Sequence, residues 1–331
     1  MARILTEGFE LQDMVGFSTS TIGSISTSVK RSGNASLTLA GGKDLTYSFP
    51  ASYSEFYIRA GIYLNTINGL SIRWYKNSVE LGSIRTDTSG SILIYTSTGT
   101  LRATGTTPLS TGIWYLIEIK VLINDTTGSI EVKLDGASEV SFSGDTKPGT
   151  DTDANVMKFY GLTSNGFNLD DVALNDTSGG ADNSWCGDGK IIMLIPNGNG
   201  DASGLTGSDG NSTDNYLLVD EAPSDDDTTY VEGTVVDTED LYALSNMTVS
   251  GITIKRVWVA ARAKDTVASG REISLNIKPS GGTTQLGTSV ALLDSYTKNI
   301  LGDYYTTNPV TTSAWQISEL DSLQAGVRIR S

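Results

Sequence analysis

The chain contains no histidine. That removes the commonest general base, a frequent metal ligand and every catalytic triad built on an imidazole. Its single cysteine, Cys186, has no imidazole to activate it and no second thiol to pair with. It reads as a buried or linker thiol. What remains for chemistry is carboxylates and aromatic rings. Two acids flanking a glycosidic bond can hydrolyse it. In the run Ile117-Glu118-Ile119-Lys120-Val121, however, the one Glu is followed two residues later by Lys. Glu118 and Glu131 therefore read as solvent-facing strand residues, and no residue is given a catalytic role. Exposed rings can instead stack on the apolar faces of sugars. Trp74, Tyr75, Tyr95 and Trp114 are available; Trp114 and Trp258 fit core positions. Trp74 and Tyr75 are the carbohydrate-binding candidates.

The elements that position these residues are strands. Ser36–Leu39, Leu45–Phe49, Glu55–Ala60 and Leu70–Tyr75 alternate apolar and polar residues. Tyr115–Val121 puts Ile117, Ile119 and Val121 on one face, and Ile130–Leu134 repeats that period. Residues 124–128 read as a hairpin loop, and Asp135-Gly136 as a turn. Gly (36 residues) with abundant Ser and Thr supplies further turns. A polar break at 177–189 reads as a linker. Beyond it, Lys190–Pro196 reads as a strand, 197–215 as a polar loop, and Ile252–Ala260 as the antiparallel partner of Glu272–Lys278. One short helix is expected with Ser318 as N-cap and Gly326 as its stop. The fold class is all-β, with two β-sandwich domains at 1–176 and 190–331.

The formal charge is −15, which disfavours both nucleic-acid phosphates and anionic membrane surfaces as partners. No run approaches the roughly 20 apolar residues of a membrane span. The N-terminus lacks the apolar stretch of a secretory signal, so the expectation is synthesis in the cytoplasm.

Residues 1–176 resemble the concanavalin-A-like (laminin-G-like) jelly roll. The resemblance lies in Glu7-Gly8-Phe9-Glu10, Arg31–Leu37, Trp114-Tyr115, Gly128–Gly136 and Leu169–Leu174. It implies a lectin-like domain. Modules of this kind often bind a structural Ca²⁺ where first and last strands meet, which makes Glu7, Glu10, Asp170 and Asp171 the metal candidates. Endoglucanases of the group carry an E-x-D-x-x-E strand, absent here. The tract 197–205 resembles one copy of a calcium-binding nonapeptide repeat. Such sites need stacked copies, so it reads as a loop.

The second region resembles a domain of bacteriophage virion and tail proteins. The matching segments are Tyr216–Pro223, Asp226–Val231, Tyr304–Pro309 and Leu320–Val327. That implies a non-enzymatic structural component, a capsid decoration protein or a tail or fibre part, located on the virion. It would be a homo-oligomer held to other virion proteins, with the second domain as anchor. A carbohydrate-binding adhesin for glycans is the alternative, and a glycan hydrolase the third reading.

Overall fold

The computed structural model describes residues 3–14, 17, 21, 23–97, 99–147, 149–267, 270–296 and 299–331. It divides into two compact units, Met1–Met193 and Leu194–Ser331. In both, the regular structure is almost wholly antiparallel strand.

In the first unit the strands begin with β1 (Arg3–Glu7), β2 (Ser24–Ser26), β3 (Ser36–Leu39), β4 (Asp44–Tyr53) and β5 (Glu55–Leu64). Next come β6 (Leu70–Lys76), β7 (Val79–Thr86), β8 (Ile92–Thr96), β9 (Thr100–Thr104) and β10 (Trp114–Leu122). The set closes with β11 (Gly128–Leu134), β12 (Ala137–Gly144), β13 (Ala154–Gly161) and β14 (Phe167–Asn175). One sheet runs β12-β11-β10-β5-β14-β3-β2, with β1 also on β14; the other runs β4-β13-β6-β7-β8-β9. The period-two pattern explains why they face each other. Ile117, Ile119 and Val121 of β10 and Ile130 and Val132 of β11 share a core with Ile72, Trp74, Ile84, Ile94, Met157 and Phe159 of the second sheet. This is a β-sandwich.

Trp74 is 1 % exposed. Alternation along Leu70-Ser71-Ile72-Arg73-Trp74-Tyr75 sends it inward with Leu70 and Ile72, so no sugar can reach it. The carbohydrate role expected for Trp74 is therefore withdrawn. Its ring fits because residue 82 is glycine: a Cβ there would lie 2.5 Å from the indole. Trp114 and Trp258, expected in cores, are only half-buried, Trp114 at 5.5 Å from the ring of Tyr63. Glu118, expected to face solvent, is 3 % exposed and accepts the Gly187 N–H at 2.7 Å.

The expected linker is not loose. Arg3 pairs with Asp182, and Asn175 donates to the Ser184 carbonyl. Cys186 is buried against Tyr57, and Arg31 pairs with Asp188 and donates to the Gly189 carbonyl. The segment looked like a linker because its partners are backbone groups and distant arginines rather than its own apolar side chains.

The second unit has a main sheet ordered β15-β18-β23-β20-β21 and two ribbons, β16–β17 and β19–β22. Its strands are β15 (Pro196–Ser203), β16 (Thr206–Gly207), β17 (Val231–Glu232), β18 (Glu239–Leu244) and β19 (Ala260–Arg262). They continue with β20 (Glu272–Lys278), β21 (Val290–Ala291), β22 (Asn299–Leu301) and β23 (Gln324–Ile329). Small cores form around Ile273 and Leu275 and around Ile277 and Trp315.

Four local expectations change here. Lys190–Ile195 is not a strand; the tract expected as a loop begins instead with edge strand β15, which pairs through its backbone and needs no apolar side chains. Residues 252–259 are not a strand either, apart from a bridge between Val257 and Tyr305. The neighbours of β20 are β23 and β21. The helix Ile317–Leu320 is capped by Gln316 in a box with Glu319, rather than by Ser318, and Gly326 lies within β23.

Candidate functional site

In the six-stranded sheet, the positions opposite the core form one array. They are Asp44, Thr46 and Ser48 of β4, Val156, Lys158 and Tyr160 of β13, and Ser71, Arg73 and Tyr75 of β6. Glu80, Ser83 and Arg85 of β7, with Leu93 and Tyr95 of β8, complete it. The register aligns Tyr160 with Ser71 and Lys158 with Arg73, Ser71 with Arg85 and Arg73 with Ser83, and Ser83 with Tyr95.

Two arginines in this array are built alike. Arg73 lies over the Tyr160 ring at 4.8 Å, gives Nε to Ser71 Oγ at 2.9 Å and one Nη to Glu80 Oε2 at 3.3 Å. Arg85 lies over Tyr95 at 4.7 Å, gives Nε to Ser83 Oγ at 3.2 Å and one Nη to Glu80 Oε1 at 3.1 Å. Glu80, 8 % exposed, thus bridges both guanidinium groups and also accepts the Tyr75 hydroxyl at 3.3 Å. Burial, then the charge of Glu80, pushes the Tyr75 phenol upward. Rings and serines hold each guanidinium in place, so little side-chain entropy is left to lose on binding.

A cleft of about 330 Å³ opens beside this array. Arg85, Leu93, Tyr95 and Leu162 line it, together with Asn68, Asp87 and Thr163. Apolar and aromatic surface beside a few fixed polar groups is the composition of a small-molecule site. A second cleft, of about 520 Å³ and lined by Ser52, Asn124, Lys147 and Asp153 among others, lies at the other end of β13; Lys76 pairs with Asp153 there.

Of the two carbohydrate candidates Tyr75 belongs to the array and Trp74 does not; of the other available rings Tyr95 does. Arg73, Glu80, Arg85, Tyr95 and Tyr160 complete it. Their signal was a serine two residues before an arginine, in two adjacent strands.

The four acids proposed for calcium lie in one corner, where β1 meets β14. A bulge in β14 follows Asp170, and Asp171 has a left-handed φ of 50°, which brings both carboxylates into the corner. Asp170 accepts the backbone N–H of Arg31 at 2.8 Å and of Ser32 at 3.3 Å. Asp171 is spent: it pairs with Arg31 at 2.7 Å and accepts Ser32 Oγ and the Ile191 N–H. Asp171 is therefore not a metal candidate, because a guanidinium already supplies its counter-charge. Glu7 accepts the Phe9 N–H and Glu10 Oε2 the Asn34 N–H, while Glu10 Oε1 is buried without a partner. Gly33 makes room for that oxygen: a Cβ there would lie 1.9 Å from it.

Burial pushes the Glu7 carboxyl up to about 7 and that of Glu10 to about 8, with the charges of Asp170, Asp171 and Glu7 adding to the latter. Asp170 is pushed up to about 7 by burial and then by Asp171. Among the described residues no three His, Cys, Asp or Glu side chains converge as a ready metal site.

No protein-family model matches the chain, and no curated protein does. Among solved structures it is similar to a sialidase, with a TM-score of 0.40 and 12 % identity over 54 % of this chain and 19 % of the sialidase. The chain thus spans about a fifth of that protein's length. It is also similar to the carbohydrate-binding module CBM66 from Bacillus subtilis, with a TM-score of 0.34 and 12 % identity over 50 % of this chain and 98 % of the module. Domain 4 of AbnA, a GH43 extracellular arabinanase from Geobacillus stearothermophilus, gives a TM-score of 0.39 and 15 % identity over 53 % and 92 % of the two chains.

Proposed function

We propose that the first unit is a non-enzymatic glycan-binding module whose site is the outer face of the six-stranded sheet with the adjoining cleft. One observation carries this: two arginines each lie over a tyrosine ring and share Glu80, and one of them, Arg85, lines a cleft together with Leu93, Tyr95 and Leu162. Saccharides need fixed donors and acceptors for hydroxyl groups next to apolar surface for ring faces. The test is binding of the purified chain to an array of glycans, repeated with Tyr95→Ala. Loss of binding with an unchanged melting temperature supports the site; unchanged binding removes it.

We further propose that the acidic corner takes a structural calcium ion through Glu10, with Glu7 and Asp170 closing in on binding, since the three carboxylates do not converge beforehand. The supporting observation is the partnerless, buried Glu10 Oε1. A hard dication suits such carboxylate oxygens and supplies the missing counter-charge.

Display on a virus particle, with the second unit anchored to virion proteins, is a separate proposal. It rests on the sequence resemblance; the second unit also exposes the adjacent Val235 and Val236, which an anchoring contact would cover. The full chain should sediment with particles lacking it, and Val236→Asp should weaken that. A chain that never sediments with them is no virion protein.

A further inference from the structure

Resting on the glycan-binding reading above, we propose that the two-arginine face selects acidic saccharides, those whose sugars carry a carboxylate.

The argument begins with charge. Across the outward array the cations are Arg73, Arg85 and Lys158, and the acids are Asp44 and Glu80, which is three against two. Lys158 and Asp44 answer each other at 3.4 Å. The two arginines share a single carboxylate. One positive charge is left over among these strand positions of a chain whose net charge is −15; Asp87, in the adjoining cleft, stands outside this count. On the strand face itself, an unmatched cation against that background favours an anion arriving from outside.

Donor accounting leads to the same place. Each guanidinium has three nitrogens. Nε goes to the neighbouring serine and one Nη to Glu80; Arg73 also hydrogen-bonds the Tyr75 hydroxyl, whereas Nη1 of Arg85 has no acceptor among the described residues. Hydrogen bonds from guanidinium to carboxylate are about twice as strong as those between neutral groups. A hydroxyl can accept from these nitrogens, but only an anion also neutralises the surplus charge.

The cleft supplies orientation. Asp87 uses Oδ1 to accept the N–H groups of Ser89 and Ser91. Its charge repels a ligand carboxylate and favours hydroxyl donors. Carboxylate toward Arg85 and hydroxyls toward Asp87 is the one placement that satisfies both ends of the cleft.

The experiment is calorimetric titration of the full chain with oligogalacturonide and oligoglucuronide, and with their methyl esters, which keep the sugar and remove the charge. Acid forms should bind at least tenfold more tightly than the esters. Arg73→Gln and Arg85→Gln should each shrink that ratio, whereas Arg73→Lys should retain part of it, and melting curves of all three report folding. Equal affinity for acid and ester in the unaltered chain overturns the acidic preference and leaves glycan binding standing. Binding of neutral glycans on the array with no uronate bound has the same meaning. No saccharide bound in either assay overturns both.

Discussion

Raising the pH should loosen the first unit, and calcium should reverse the effect through Glu10. Its carboxyl is held at about 8 in the folded chain against 4.5 ordinarily, chiefly by burial. A native proton retained above the unfolded value means that the unfolded chain binds fewer protons in this range, so stability falls as pH rises. The contribution is fully present below about 4.5 and lost as pH passes through about 8. At about 1.4 kcal/mol per unit the gross effect is roughly 5 kcal/mol. Relaxation around a buried carboxyl, where the effective dielectric is far above that of dry protein, reduces this to about 2 kcal/mol. For a unit of this size that is roughly 4–8 °C in melting temperature. Thermal scans in chelator at pH 5, 6.5 and 8 measure it. Glu10→Gln keeps the shape without the charge, so its curve should lie at or below the unaltered chain at pH 5 and above it at pH 8. Millimolar Ca²⁺ should raise the melting temperature of the unaltered chain at pH 8 and leave Glu10→Gln unmoved. A melting temperature that is flat or rising from pH 5 to 8 in chelator refutes the burial argument. A rise with Ca²⁺ that survives Glu10→Gln refutes the ligand assignment.

Trp74→Ala should cost about 3–5 kcal/mol in urea unfolding, as removal of a buried aromatic does, and Gly82→Ala should also destabilise by pushing into the same indole; full glycan affinity in the folded fraction is expected for both. Arg31→Ala should expose residues 185–191 to protease, because Arg31 ties Asp171 to Asp188 and Gly189; resistance equal to that of the unaltered chain would show that the segment is held by other contacts.

Period-two alternation made much of the first unit legible. β3 spans the run read as a strand, and β10 and β11 carry Ile and Val inward as their pattern requires. The same rule, applied to Leu70-Ser71-Ile72-Arg73-Trp74, already places Trp74 inside; a ring's usefulness for sugar binding is no guide to its direction. The second unit was less legible because β15 is almost free of apolar residues and its pairing lies in the backbone. Juxtaposition of the acids was implied by the jelly-roll resemblance, but their counter-charge was not. Arg31 reaches Asp171 across 140 positions, and nothing local marks it as a partner. Glu80 was hidden for another reason. An acid on a strand reads as solvated until the two arginines that cover it are known.

The two sites of the first unit differ in how much chain each needs. Ser71, Arg73, Tyr75, Glu80, Ser83 and Arg85 all belong to the β6–β7 hairpin, a pairing of low contact order that can close early in folding. The acidic corner draws on Glu7, Arg31, Asp170 and Ile191, so it exists only once both extremes of the unit have met. In a chain leaving the ribosome, the hairpin can organise long before the corner does. Calcium uptake would then certify a finished domain, while the ligand face could be re-tuned by substitutions within a single hairpin, without touching the closure of the fold.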